Sequence, residues 1–248
     1  MYNEFAFADR FAAAEADGFK GVEYLGPYDE PKQVIADRLA RHGLEQVLFN
    51  LPVGHWSAGE RGIAAVPGRE AEFRAGVDLA IDYAGALGAR QVNCLVGLVP
   101  DANVAEAAED QLVANLAYAA ARLDHAGIKL MFEPLNTRDV PGYFVSTIDH
   151  AERLLNRVGS DNLYVHYDFY HQQISQGDLM RNFQRLGDRI VHVQIADNPG
   201  RHEPGTGEIN YGFVLSELDR LGYSGWVGCE YIPRSGTSIG LGWMRHGK

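Results

Sequence analysis

Cysteine is scarce in this chain. Cys94 and Cys229 are the only two, and each lies inside an apolar run, "VNCLV" and "WVGCEYI". Two isolated cysteines make no disulfide framework, so both read as reduced core residues of a cytoplasmic protein. Basic charge is also short: 22 Lys and Arg face 33 Asp and Glu, a formal net charge of -11. A basic stripe is the electrostatic footprint of nucleic-acid binding, and its lack argues against a nucleic-acid partner. A small anionic substrate stays open, because a metal ion or a local arginine can reverse the field inside a site. No apolar run approaches the roughly 18 residues that a membrane span needs. The N-terminal "MYNEFAFADR" has no basic region followed by an apolar one, so no secretory signal is expected. Linkers and low-complexity segments are missing too, and residues 1–248 read as one domain.

What is present suits an α/β fold. The 248 residues are 46% hydrophobic and 22% charged, enough to build a large core. The length is one that α/β barrels reach as single units. Apolar runs at 21–25, 46–51, 91–96, 129–135, 163–169, 190–196 and 225–232 read as strands, apolar on both faces as in a parallel sheet covered by helices. Amphipathic stretches at 5–19, 69–88, 105–127 and 146–159 read as helices, several stopping at glycine. The alternation predicts a parallel sheet. The strand runs number seven, and the chain opens on a helix. A (β/α)8 barrel needs an eighth strand, which would precede "YNEFAFADRF". On the count alone a doubly wound sheet is the other topology.

The stretch "LMFEPL" sets the functional question, because a carboxylate in an apolar strand is expensive unless something offsets its charge. Three more late strands repeat the pattern. Each carries one metal-competent polar residue near its C-terminal end: Glu133, Asp168, Gln194 and Glu230. Strand side chains alternate faces, so Met131, His166, His192 and Gly228, two residues earlier, share those faces. In a barrel, the four polar residues form a top layer at the mouth, and the carboxylates repel one another without a cation. Oxygen donors of this kind suit a hard divalent ion, Mg²⁺ or Mn²⁺. His171, three residues after Asp168, is placed to hydrogen-bond a substrate oxygen. Arg201 lies in the loop "DNPGRHEPGTGEINY", at the face where barrels build active sites. His166 and His192 read as satisfied core histidines. Glu23 lines the mouth or pairs with a cation, and "NLPVGHWSAGERG" (50–62) reads as a lid with Trp56 as an apolar wall.

Taken together, these segments resemble the hydroxypyruvate isomerase family, within the xylose-isomerase-like TIM barrels. The resemblance runs through "GFKGVEYLGPY", "FNLPVGHWSAGERGIAAVPGRE", "VNCLVG", "EPLNTRDVPGYF", "YDFYHQQISQGDL", "QIADNPGRHEPGTGEINY" and "GWVGCEYIP", nearly the whole chain. It implies a divalent metal held by Glu133, Asp168, Gln194 and Glu230, with Glu133 and Glu230 as the acid–base pair. It further implies that His171 and Arg201 hold oxygens of a small 2-oxo acid or sugar-like substrate. The implied reaction interconverts hydroxypyruvate and tartronate semialdehyde, and some relatives isomerise four-carbon 2-oxo acids instead. Two features depart from the family pattern. Its first strand is not seen before "MYNEF", so either the sequence starts at an internal methionine or the barrel closes differently. Unpaired edges invite association, and a homo-oligomer is open. The loop 50–62 carries His55 where relatives often have an acidic residue. Competing readings are a ketose 3-epimerase, which more often has histidine in place of Gln194, a metal-dependent endonuclease, and an inactive metal-binding fragment.

Overall fold

Local chemistry sets the ends of the elements. The Thr147 side chain accepts the His150 N–H to start one helix, and Asn210 does the same for another through Phe213. Gly88 and Gly159 stop helices in left-handed conformations that a residue with a Cβ adopts only under strain. The computed structural model describes residues 1–99 and 101–245. In order these form α1 (Phe7–Ala16), β1 (Gly21–Tyr24), α2 (Lys32–His42), β2 (Glu45–Phe49), α3 (Glu70–Leu87), β3 (Gln91–Cys94), α4 (Ala105–His125) and β4 (Lys129–Phe132). They continue as α5 (Ile148–Val158), β5 (Leu163–Asp168), α6 (Phe169–Ser175), α7 (Leu179–Leu186), β6 (Ile190–Ile195), α8 (Tyr211–Arg220), β7 (Trp226–Cys229) and α9 (Thr237–Gly240).

All strand pairs are parallel. β1 pairs with β2, and β3 to β7 form a second ladder in sequence order. A parallel bridge between Asn50 and Asn93 joins the two ladders, and the Leu51 N–H donates to the Asn93 carbonyl at 2.8 Å. A strictly sequential order is that of a barrel, whereas a doubly wound sheet reverses order part-way. The first and last strands also meet through side chains. The Gln194 amide of β6 donates to the Glu23 carboxylate of β1, and a Cβ added at Gly228 of β7 would overlap that carboxylate. Among the described residues no backbone ladder joins β7 to β1.

Alternation along the strands separates two cores. Leu130 and Phe132 of β4 face outward into the main core with Leu112, Leu116 and Leu154 from the helices. Met131, between them, belongs to a separate inner cluster with Val47 and Leu48. This is the inward direction that places Glu133 at the mouth. The expected strand ends run past the observed ones, because Glu133 and Glu230 lie one residue beyond β4 and β7. No described helix is long and apolar enough to cross a membrane.

Candidate active site

The C-terminal strand ends gather three carboxylates and a histidine. Glu133, Asp168, His171 and Glu230 each offer an atom within 4.8 Å of the others. Glu133, His171 and Glu230 line a cavity of about 590 Å³ with Gln194 and Arg201. Glu133 is buried, and its Oε1 has no hydrogen-bond partner. Its Oε2 lies 3.6 Å from His166 Nδ1. Asp168 is the last residue of β5 and the cap of α6, where its Oδ1 accepts the Tyr170 N–H at 2.7 Å. That leaves Oδ2 buried and without a hydrogen bond, 3.8 Å from Arg201. Glu230 is the exposed member, its side chain 48% accessible, and it accepts a hydrogen bond from Arg201 at 2.6 Å. Gln194 stands in register between Asp168 and Gly228, with its Oε1 buried and unpartnered.

The electrostatics follow from this crowding. Burial pushes the Glu133 carboxyl well above its ordinary range, and the charges of Glu230 and Asp168 push it further. Burial likewise carries Asp168 up to about 7, against the pull of Arg201 and two backbone N–H groups. The donor set therefore holds two acids partly neutral and leaves three buried oxygens unpaired. A cation would ionise the acids and partner the oxygens, so the residues fit a hard divalent ion.

His171 and Arg201 are held in different ways. His171 lies on α6 and is buried, not on a solvated loop. Its Nδ1 accepts the Asn136 N–H at 3.1 Å and lies 2.7 Å from the Asn136 amide nitrogen. Burial, with Arg201 nearby, holds its pKa well below the usual histidine value. A neutral ring that accepts at Nδ1 carries its proton on Nε2, which faces Asp168 Oδ2 at 3.6 Å. In that tautomer the Nε2 proton points toward the carboxylate cluster. Arg201 adopts a left-handed φ of 55 in a loop organised by Asp197. The buried Asp197 carboxylate accepts N–H groups from Asn198, Gly205, Thr206, Gly207 and Ile209. The Arg201 guanidinium stacks 5.1 Å from the Tyr170 ring.

Beneath the mouth lies a second polar layer. Gln91 contacts His192 Nδ1 at 3.2 Å, and His192 Nε2 lies 2.7 Å from Glu23 Oε2. Burial works against the Glu23 charge, but His192 and the Gln194 amide outweigh it and hold the carboxyl below its ordinary value. The partner that Glu23 finds at the mouth is this ring. His166 differs from the satisfied core residue expected: it meets His192 edge-on at 5.0 Å, yet neither ring nitrogen has a hydrogen-bond partner. On the loop 50–62, the exposed Trp56 stacks under Arg61 at 3.8 Å, and both line the cavity. Sequence reasoning missed Asn136 and Asp197. A "DNPG" start and the "GTG" turn were the available signals for the latter.

The family model described as xylose isomerase-like TIM barrel matches residues 11–246. This chain belongs to that family. A 2-oxo-tetronate isomerase of Cupriavidus necator is 49% identical over 246 residues, covering 99% of this chain and 94% of the relative. The hydroxypyruvate isomerase of Escherichia coli is 47% identical over 244 residues, covering 98% and 95%. A crystal structure from Brucella melitensis, described as an AP endonuclease of family 2, is 48% identical with a TM-score of 0.96, covering 99% of this chain and 95% of that one. The (β/α)8-type fold expected from the strand pattern is therefore the fold observed, with seven strands among the described residues.

Proposed function

We propose that the protein is an aldose–ketose isomerase that interconverts hydroxypyruvate and tartronate semialdehyde. The observation that carries this reading is the convergence of Glu133, Asp168 and Glu230 within 4.8 Å at the barrel mouth. The full-length similarity to a hydroxypyruvate isomerase supports it. Glu133, Asp168, Gln194 and Glu230 would hold Mg²⁺ or Mn²⁺, which when bound supplies Lewis-acid stabilisation of negative charge. Cys94 and Cys229 are free thiols, consistent with a reducing, cytoplasmic setting.

The reaction moves a carbonyl from C2 to C3. A C–H bond at C3 breaks, an enediolate forms, and a C–H bond forms at C2, while the hydroxyl proton passes from the C3 oxygen to the C2 oxygen. Glu133 and Glu230 act as the pair that takes and returns the carbon-bound proton. His171, neutral with its proton on Nε2, donates to a substrate oxygen. Arg201 binds a second oxygen and orders Glu230. Arg61, which also lines the cavity, offers further positive charge for the substrate carboxylate.

The similarity to a 2-oxo-tetronate isomerase makes a four-carbon 2-oxo acid the second reading. Proton NMR in D₂O separates the two. The expected result is deuterium incorporation and aldehyde formation from hydroxypyruvate. Faster turnover of 2-oxo-tetronate would move the assignment to the longer acid, and turnover of a free ketohexose alone would make the protein an epimerase. The acidic surface, net charge -11, disfavours the endonuclease reading, and a nicking assay is expected to be blank.

A further inference from the structure

Gln194 poses a problem of orientation that a carboxylate does not. Its amide has one oxygen and one nitrogen, and only the oxygen is a useful donor to a hard cation. With the two exchanged, an N–H₂ group would face the site. Something must therefore fix the amide. In this structure the Nε2 group donates to Glu23 Oε1 at 2.7 Å, and Oε1 of Gln194 is left buried with no partner. Glu23, ionised, accepts only, so it selects the nitrogen of the amide and rejects the oxygen.

Glu23 is itself fixed from several sides. Its other oxygen lies 2.7 Å from His192 Nε2, and Gln91 contacts the far nitrogen of that ring at 3.2 Å. Its approach runs across the seam between β1 and β7, over Gly228. Gly228 has no Cβ, and a Cβ there would overlap the Glu23 carboxylate. Gly228 is also the register neighbour of Gln194. The small residue on β7 thus makes the space through which a carboxylate from β1 reaches an amide on β6.

We propose that Glu23 is a positioning residue that orients the Gln194 amide so that its oxygen faces the metal site. The proposal rests on the reading of Gln194 as an oxygen donor to that metal. It assigns Glu23, His192 and Gly228 a role in metal affinity without contact to the metal or substrate.

The test is Mn²⁺ binding to the purified chain, read from the loss of the free-ion electron paramagnetic resonance signal, which requires no turnover. Glu23→Gln removes the selection, because a glutamine accepts or donates. Its Mn²⁺ affinity is expected to fall about 10- to 100-fold, the usual scale for a partner of a metal ligand. Gly228→Ala, which displaces the Glu23 carboxylate, is expected to give a loss of the same kind. The exchange Glu23→Gln with Gln194→Glu restores affinity, since residue 194 then presents oxygen in either orientation and residue 23 donates to it. A residue that merely stabilises the fold would not be rescued by a change at 194, and the exchange keeps the test decisive where Glu23→Gln alone does not fold. Unchanged affinity in Glu23→Gln, or an exchange that binds as poorly as the single variant, overturns the proposal. A Gln194→Leu variant that binds Mn²⁺ like the wild type overturns the ligand reading on which it rests.

Discussion

Glu133 sits among apolar neighbours with one oxygen unpaired, and its chemistry depends on what offsets its charge. Replacing it with glutamine removes a group whose ionisation burial and two nearby carboxylates oppose in the metal-free chain. The expected result is a fall in turnover of about 10²- to 10⁴-fold, the scale of lost acid–base catalysis, with no loss of thermal stability in the metal-free protein. Glu230→Gln is expected to lose turnover similarly, and its exposed position makes its effect on the melting temperature small. Steady-state kinetics alongside thermal melting checks both. These two residues, with Asp168 and Gln194, were legible from sequence because strand alternation and end position are periodic signals. The tautomer of His171 and its partner Asn136 were not. A tautomer depends on a contact between residues 35 apart, which no local pattern encodes.

Loops and helices carry the site more than their sequences suggest. The Asp197 carboxylate collects five backbone N–H groups from the loop that holds Arg201. Asp197→Ala leaves those donors unpartnered, each at a cost of about 1–3 kcal/mol where water cannot replace the acceptor. Denaturant unfolding should show a lower midpoint, and KM should rise as Arg201 loses its place. An unchanged midpoint would mean that water serves the loop equally well. The seven strands were legible as apolar runs, since most are buried on both faces, β1 and β7 less so. α2 was not, because its polar face dominates "KQVIADRLARH" and only Ile35 and Leu39 are buried. α6 was hidden for another reason. It begins directly on Asp168, the last residue of β5, so strand and cap are one residue.

At the scale of the molecule, the mouth stores a conflict that pH should reveal. An acid whose folded pKa exceeds its unfolded value binds more protons when folded, so its contribution to stability falls as pH rises. For Asp168 that contribution is intact below its ordinary value of 3.8 and lost as pH passes about 7. Glu133, raised in the same direction, adds to the loss. His166 and His171 act oppositely: burial holds both well below 6.5, so they weaken the fold as pH drops below that value. Above pH 6.5 neither of these histidines opposes the two carboxylates. The melting temperature of chelator-treated protein is expected to fall between pH 6.5 and 8, and saturating Mn²⁺ to abolish the fall. Strand–helix alternation foretold a parallel sheet, and the family resemblance, not the alternation, pointed to the sequential order of a barrel. The meeting of β1 with β6 and β7 was not, because Glu23 and Gln194 are 171 residues apart.

The most direct measurement is isomerisation of hydroxypyruvate by this chain after chelation, and again after adding back Mg²⁺ or Mn²⁺. The account predicts that turnover is lost on chelation and returns with the ion, while Glu133→Gln stays inactive throughout. Full turnover in the chelated protein, or in Glu133→Gln, would contradict it.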